Sequence, residues 1–141
     1  RNYAMEYIRN ILPEALDLFG VEEGRRLCGF AARRIGMQFY DETAKQLGIV
    51  GDSSETFGRY LAGMAAGQGD DVDIEAGINS VIVRSQSWKL MRGLEDLPSE
   101  VFDAWNELWI GALSVHNRFL CLDVLERPDG GRGGTWRIRT R

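Results

Sequence analysis

Histidine is scarce in this chain, and the scarcity excludes a good deal. With His116 alone, no multi-histidine metal site can be built from these residues. The two cysteines, Cys28 and Cys121, form no Cys-x-x-Cys pair, which removes a zinc ribbon. They stand far apart in mostly apolar company, as buried free thiols do, and so point to a reducing, cytoplasmic compartment rather than to a disulfide. No apolar run approaches the roughly 20 residues that cross a bilayer, and no signal peptide is visible. The net charge of −4 offers no general attraction to nucleic acid or to an anionic membrane. Neither a phosphate-binding loop nor a dinucleotide fingerprint is present, so no cofactor and no metal are called for.

What is present fits a single domain over residues 1–141, long enough to bury a real core. A helical half, 1–68, precedes a sheet half, 70–141. The chain opens without Met inside an amphipathic pattern, which points to trimming or to excision from a longer polypeptide.

Tyr3 to Phe19 sets Tyr3, Tyr7, Ile8, Ile11, Leu12, Ala15, Leu16 and Phe19 on a helical stripe, with Pro13 predicting a kink or break near Leu12. Gly20 suits a left-handed cap. A second helix runs from about Val21 to Leu47 and stops at Gly48. Leu27, Cys28, Ala31, Ile35, Phe39 and Ala44 read as its buried side, while Gly29, Ala32 and Gly36 would let another backbone come close. Asp52 to Glu55 has capping-box spacing and starts a third helix, about Ser53 to Ala66, with Phe57, Tyr60, Leu61 and Met64 as its stripe. The period then changes to alternation. Val72 to Ala76 and Asn79 to Met91 read as strands, the second carrying Trp88. Leu94 to Pro98 reads as a linker, and Ser99 as the N-cap of a helix reaching His116. Phe119 to Glu126 and Trp136 to Arg141 are the last strands, joined by Pro128-Asp129-Gly130-Gly131-Arg132-Gly133-Gly134 as a hairpin turn. Three helices, then β-β-α-β-β, predict an α+β fold with an antiparallel sheet and helices on one face.

Phe102, Trp105, Trp109, Ala112 and His116 share one helix face. They either pack against the sheet or, with Trp88 and Tyr60, line an apolar cavity suited to a small aromatic ligand. His116, at the helix C-terminus where the dipole favours its charged form, is a capping residue or a group for catalysis or haem ligation. Arg84, and the alternating Arg137, Arg139 and Arg141, make a solvated face or a seat for an acidic partner or an anionic substituent. Glu95, Asp96, Glu100, Asp103 and Glu107 cluster around the last helix without forming an obvious acid–base pair. Asp123 shares a strand face with Cys121 and Leu125. With His116, the pair Cys121 and Asp123 completes the candidate catalytic set.

From Val72 to Arg139, the succession of strand, acidic-capped helix with Trp109-Ile110-Gly111, strand ending in Glu126, glycine turn and terminal strand resembles the 4-vinyl reductase domain. It is also similar to the L-2-amino-thiazoline-4-carboxylic acid hydrolase-like proteins. The resemblance implies a fold like the transport-particle subunits, with an apolar channel between helices and sheet. It further implies a role in sensing aromatic compounds, in tetrapyrrole metabolism or in ring hydrolysis. Ala104-Trp105 and Gly134-Thr135-Trp136 stand where such domains often carry cysteines, so the family type of metal site is not expected.

The leading expectation is therefore a small-ligand-binding or sensor domain with Trp88, Trp105, Trp109 and Tyr60 around the pocket and Arg84 or His116 orienting a polar group. Two others stand beside it. One is a hydrolase of a small ring amide or thiazoline. The other is an oligomerisation or interaction module, as a homodimer or as part of a larger enzyme, to which the close-approach residues Gly29, Ala32 and Gly36 point.

Overall fold

The computed structural model describes residues 3–93 and 96–141, with Ala4 described by its backbone alone. Glu95 of the acidic cluster, and Leu94 and Glu95 of the expected linker, lie outside the described residues. The elements are α1 (Tyr3–Phe19), α2 (Val21–Gln46), α3 (Ser54–Gly67), β1 (Val72–Gly77), β2 (Ser80–Ser85), a single 3-10 turn (Lys89–Met91), α4 (Ser99–His116), β3 (Leu120–Glu126) and β4 (Thr135–Thr140). The α+β reading is confirmed. The four strands form one antiparallel sheet in the order β1-β2-β4-β3, so β4 lies between β2 and β3.

Alternation along the strands separates two faces. Val81, Val83, Trp136, Ile138 and Leu120 are buried beneath the helices. The opposite face carries Asp73, Glu75, Arg84, Asp123, Arg137 and Arg139 in cross-strand register. Helix α3 packs on β1, β2 and β4, and α4 meets β3. Helix α2 lies along α4, and α1 folds back on α2. The helix pair α1–α2 is thus an outer layer.

Several local expectations are corrected. Helix α1 passes unbroken through Pro13. The ring removes one backbone bond, but Leu12, Ala15 and Leu16 are buried, and that packing holds the turn. Strand β2 ends at Ser85, not Met91. Ser85 Oγ donates to the Ser87 carbonyl at 2.6 Å, which turns the chain, and Asp70 Oδ1 accepts from Ser87 Oγ and the Lys89 amide, each at 2.9 Å. Trp88 therefore sits in a pinned turn rather than on a strand. Ser53, not Asp52, caps α3, accepting from the Thr56 amide at 3.1 Å, and Pro98 rather than Ser99 stands at the N-cap of α4.

The larger correction concerns α2. Its buried residues are Gly24, Gly29, Ala32, Gly36, Tyr40 and Ala44, whereas Leu27, Ala31, Ile35 and Phe39 are exposed. The small residues decide this. A Cβ on Gly36 would lie 2.1 Å from the Leu108 carbonyl oxygen, and one on Gly111 would lie 2.1 Å from that of Arg33. The two backbones touch at this crossing, so α2 must turn its smallest residues to α4 and its bulky apolar residues away from it.

Candidate functional site

The tryptophans of α4 do pack beneath the sheet. Trp105 and Trp109 meet edge to face with centroids 6.5 Å apart, Phe102 lies 6.1 Å from Trp136, and half-buried Trp88 meets Phe102 edge-on at 5.5 Å. Trp136 Nε1 donates to Asn106 Oδ1 at 2.8 Å. Trp109 Nε1 is buried and has no partner. The enclosed space among Trp88, Trp105, Trp109 and Trp136 is about 10 Å³, room for one water and no more. Large rings fill the expected cavity because glycine brings the hairpin against them. A Cβ on Gly134 would stand 3.2 Å from both Phe102 and Trp136. Outside this cluster, Trp88 and Phe102 also form the inner wall of an open groove of about 490 Å³, edged by Lys89, Arg92, Arg127 and Arg132.

Tyr60 belongs to a different group. Its ring lies 4.9 Å from Tyr40 and 5.4 Å from Phe57, and burial pushes its hydroxyl pKa up to about 12. His116 stands here too. Nε2 lies 2.9 Å from the Ser53 carbonyl, which only accepts, so Nε2 carries the hydrogen. Nδ1 is then free to accept from the Tyr40 hydroxyl. Burial lowers the His116 pKa and so favours this neutral ring, outweighing the opposing effect of the Ser53 hydrogen bond. His116 thus ties the end of α4 to α2 and to the start of α3, and its position at the helix C-terminus does not favour the charged form.

The remaining candidates lie on the outer sheet face. Arg84 pairs with Glu75 at 2.9 Å. Asp123 accepts from Arg139 at 2.7 Å and Arg137 at 3.1 Å, and these hydrogen bonds hold its carboxyl below the ordinary range, Arg139 first. Cys121 shares that face and pairs across the ladder with Arg139. Arg141 Nε donates to the Arg118 carbonyl at 3.2 Å. The structure therefore separates His116 from Cys121 and Asp123, which lie across the sheet, and places Arg84 on the outer face away from the tryptophans, whereas Tyr60 shares one core with Trp105, Trp109 and Trp136. Among the described residues, no group of three His, Cys, Asp or Glu side chains is placed to hold a metal ion, and no helix is long and apolar enough to cross a membrane.

The unexpected feature is the outer layer. Tyr7 is 68%, Leu18 73% and Phe30 65% exposed, and Tyr3, Ile11, Leu27, Ile35, Met37 and Phe39 accompany them. Tyr3, Tyr7, Ile11 and Leu18, the first three expected on the buried stripe with Leu12, Ala15 and Leu16, form an exposed ridge along α1 that flanks those buried residues. The close-approach spacing of Gly29, Ala32 and Gly36 was the available signal: a helix buried through its smallest residues presents its largest ones elsewhere. Compared with known proteins, the chain matches no family model, no curated protein and no solved structure.

Proposed function

We propose that this chain is an interaction module, whose docking surface is the outer face of α1 and α2. The observation that carries the reading is the inverted burial of α2, with glycine and alanine against α4 and Leu27, Phe30, Ile35, Met37 and Phe39 in solvent. Sealing these side chains from water releases about 25 cal/mol for each Å² of apolar surface removed, a drive available only when another surface lies on them. Hydroxyl-radical labelling of Tyr7, Phe30 and Met37 tests the reading. We expect these residues to be protected in the living cell relative to dilute purified protein. Equal labelling in both settings refutes a docking role.

A second reading, binding of a small aromatic ligand, is favoured by one observation. Trp109, whose Nε1 has no partner, lines the small internal space, and Trp88 with Phe102 borders both that space and the outer groove. Rotation of Trp88 would join the two. This reading agrees with the resemblance to the 4-vinyl reductase domain. Titration of aromatic and tetrapyrrole compounds against tryptophan fluorescence tests it: a saturable change lost in Trp88→Ala supports it, and no saturable change with any compound removes it. Ring hydrolysis has less support, since His116 is committed to Tyr40 and Ser53.

A further inference from the structure

Deepening the small-ligand reading above, on which it rests, we infer that the outer groove beside Trp88 takes a phosphate monoester carried on a planar ring, of which a mononucleotide is one. The groove encloses about 490 Å³, within the range of small-molecule sites. Its walls come from two segments, the turn carrying Lys89 and Arg92 and the β3–β4 hairpin carrying Arg132. Between them lies the start of α4, with Pro98, Ser99 and the buried Phe102. Trp88 meets Phe102 edge-on at 5.5 Å and is half-buried, so part of its indole is left for a second ring to cover.

Charge decides the rest of the ligand. The chain as a whole carries −4, yet this groove is edged by cations. Arg127 is spent within the fold, bonded to Asp103 at 2.9 and 3.1 Å with Glu100 nearby. Lys89, Arg92 and Arg132 are exposed, and none has an ion-pair partner among the described residues. Asp129 is the one carboxylate among the described residues of the lining, and it offsets one of the three. Two positive charges remain, which match a phosphate monoester at neutral pH, about −1.5 to −2, better than the single charge of a carboxylate. No side chain caps the first turn of α4, so its dipole adds to the same field. The groove is also preformed. A Cβ on Gly133 would lie 2.4 Å from the Ser87 carbonyl, and the Ser85 amide donates to the Gly134 carbonyl at 2.9 Å, so the hairpin is pressed onto the turn. The Arg127–Asp103 pair ties the base of the hairpin to α4, and Asp70 holds the turn through Ser87 and Lys89. Little ordering is therefore left for the ligand to drive.

Titration calorimetry with adenosine and uridine monophosphates, with adenosine and with ribose phosphate separates the contributions of ring and phosphate. At least one of the two nucleotides should bind saturably and quench tryptophan emission, with Trp88 as the reporter because Trp105, Trp109 and Trp136 are buried. Adenosine and ribose phosphate should each bind about tenfold more weakly or worse. Arg92→Glu and Arg132→Glu should each weaken the nucleotide about tenfold or more, and added salt should weaken it in the natural chain. Both side chains are exposed, so the fold survives their reversal, which circular dichroism checks. Absence of nucleotide binding overturns the inference, as does binding indifferent to both reversals. Ribose phosphate binding as tightly as the nucleotide overturns it by removing the ring, and adenosine doing so overturns it by removing the phosphate. If the nucleotides fail while an uncharged aromatic compound gives a saturable change lost in Trp88→Ala, the small-ligand reading stands and this inference falls. If no compound of either kind binds, both fall.

Discussion

At the scale of single residues, two positions make sharp demands. Burial favours the neutral form of His116, whose Nδ1 meets the Tyr40 hydroxyl while its Nε2 donates to the Ser53 carbonyl. Burial lowers its pKa from the ordinary 6.5, so the unfolded chain takes up a proton at a pH where the folded one does not. Stability therefore rises with pH below about 6.5 and levels off above it, as far as this group is concerned. Denaturant midpoints between about pH 5 and pH 8 should show that slope in the natural chain and a smaller one in His116→Gln, which should itself cost about 1–3 kcal/mol through the lost pairings. Gly36 makes a steric demand instead. The Cβ of Gly36→Ala would stand 2.1 Å from the Leu108 carbonyl and 2.9 Å from the Ala112 nitrogen, both backbone atoms that cannot swing aside. The loss should be about 3 kcal/mol or more. Gly67→Ala, with nothing within 4 Å of the new Cβ, should instead stabilise the chain, by up to about 1 kcal/mol. Thermal or denaturant unfolding of the two variants checks the contrast.

At the scale of elements, Asp70 joins parts far apart in sequence. Its buried carboxylate receives Ser87 Oγ and the Lys89 amide, and so fixes the turn that carries Trp88. Asp70→Ala leaves both donors without their acceptor. It should cost about 2–3 kcal/mol and shift tryptophan emission to longer wavelength as Trp88 gains water, measurable by denaturation and by fluorescence. This contact also explains what the sequence could and could not disclose. Helix α4 and the β3–β4 hairpin were legible because the period of 3.6, the alternation and the glycine turn are local signals. The end of β2 was not, because it is made by Asp70 and by Gly133, whose Cβ would lie 2.4 Å from the Ser87 carbonyl. Trp88 extends the β signal past the true stop at Ser85, and nothing nearby in the chain cancels it. For α2 the apolar side chains were read as buried because hydrophobicity ordinarily outweighs size, yet backbone contact at Gly36 and Gly111 reversed the choice. The burial of Trp105 and Trp109 could be anticipated from their spacing. The volume left among them could not, since it depends on how closely Gly134 brings β4 to Phe102.

At the scale of the whole molecule, the layers imply a division of labour. The charged outer face of the sheet is internally paired, Arg84 with Glu75 and Asp123 with Arg137 and Arg139, so it has little left to offer a partner. The layer of α3 and α4 is spent on the core. The α1–α2 face carries the exposed apolar side chains of both helices, and association through it must be linked to stability by mass action. If folding and pairing are coupled through α2, the unfolding temperature depends on protein concentration, because each dimer releases two unfolded chains. The dependence should be visible over a hundredfold range of concentration in the natural chain and should vanish in Phe30→Ser/Met37→Ser. Those residues are exposed in the single chain, so their loss leaves the core intact. At low concentration, where both proteins are monomeric, the double variant should melt within a degree or two of the natural chain, and the difference between them should grow only as concentration rises. A difference that is the same at every concentration would place these side chains in the stability of the monomer, and a natural chain whose melting ignores concentration would leave α2 without a partner of its own kind.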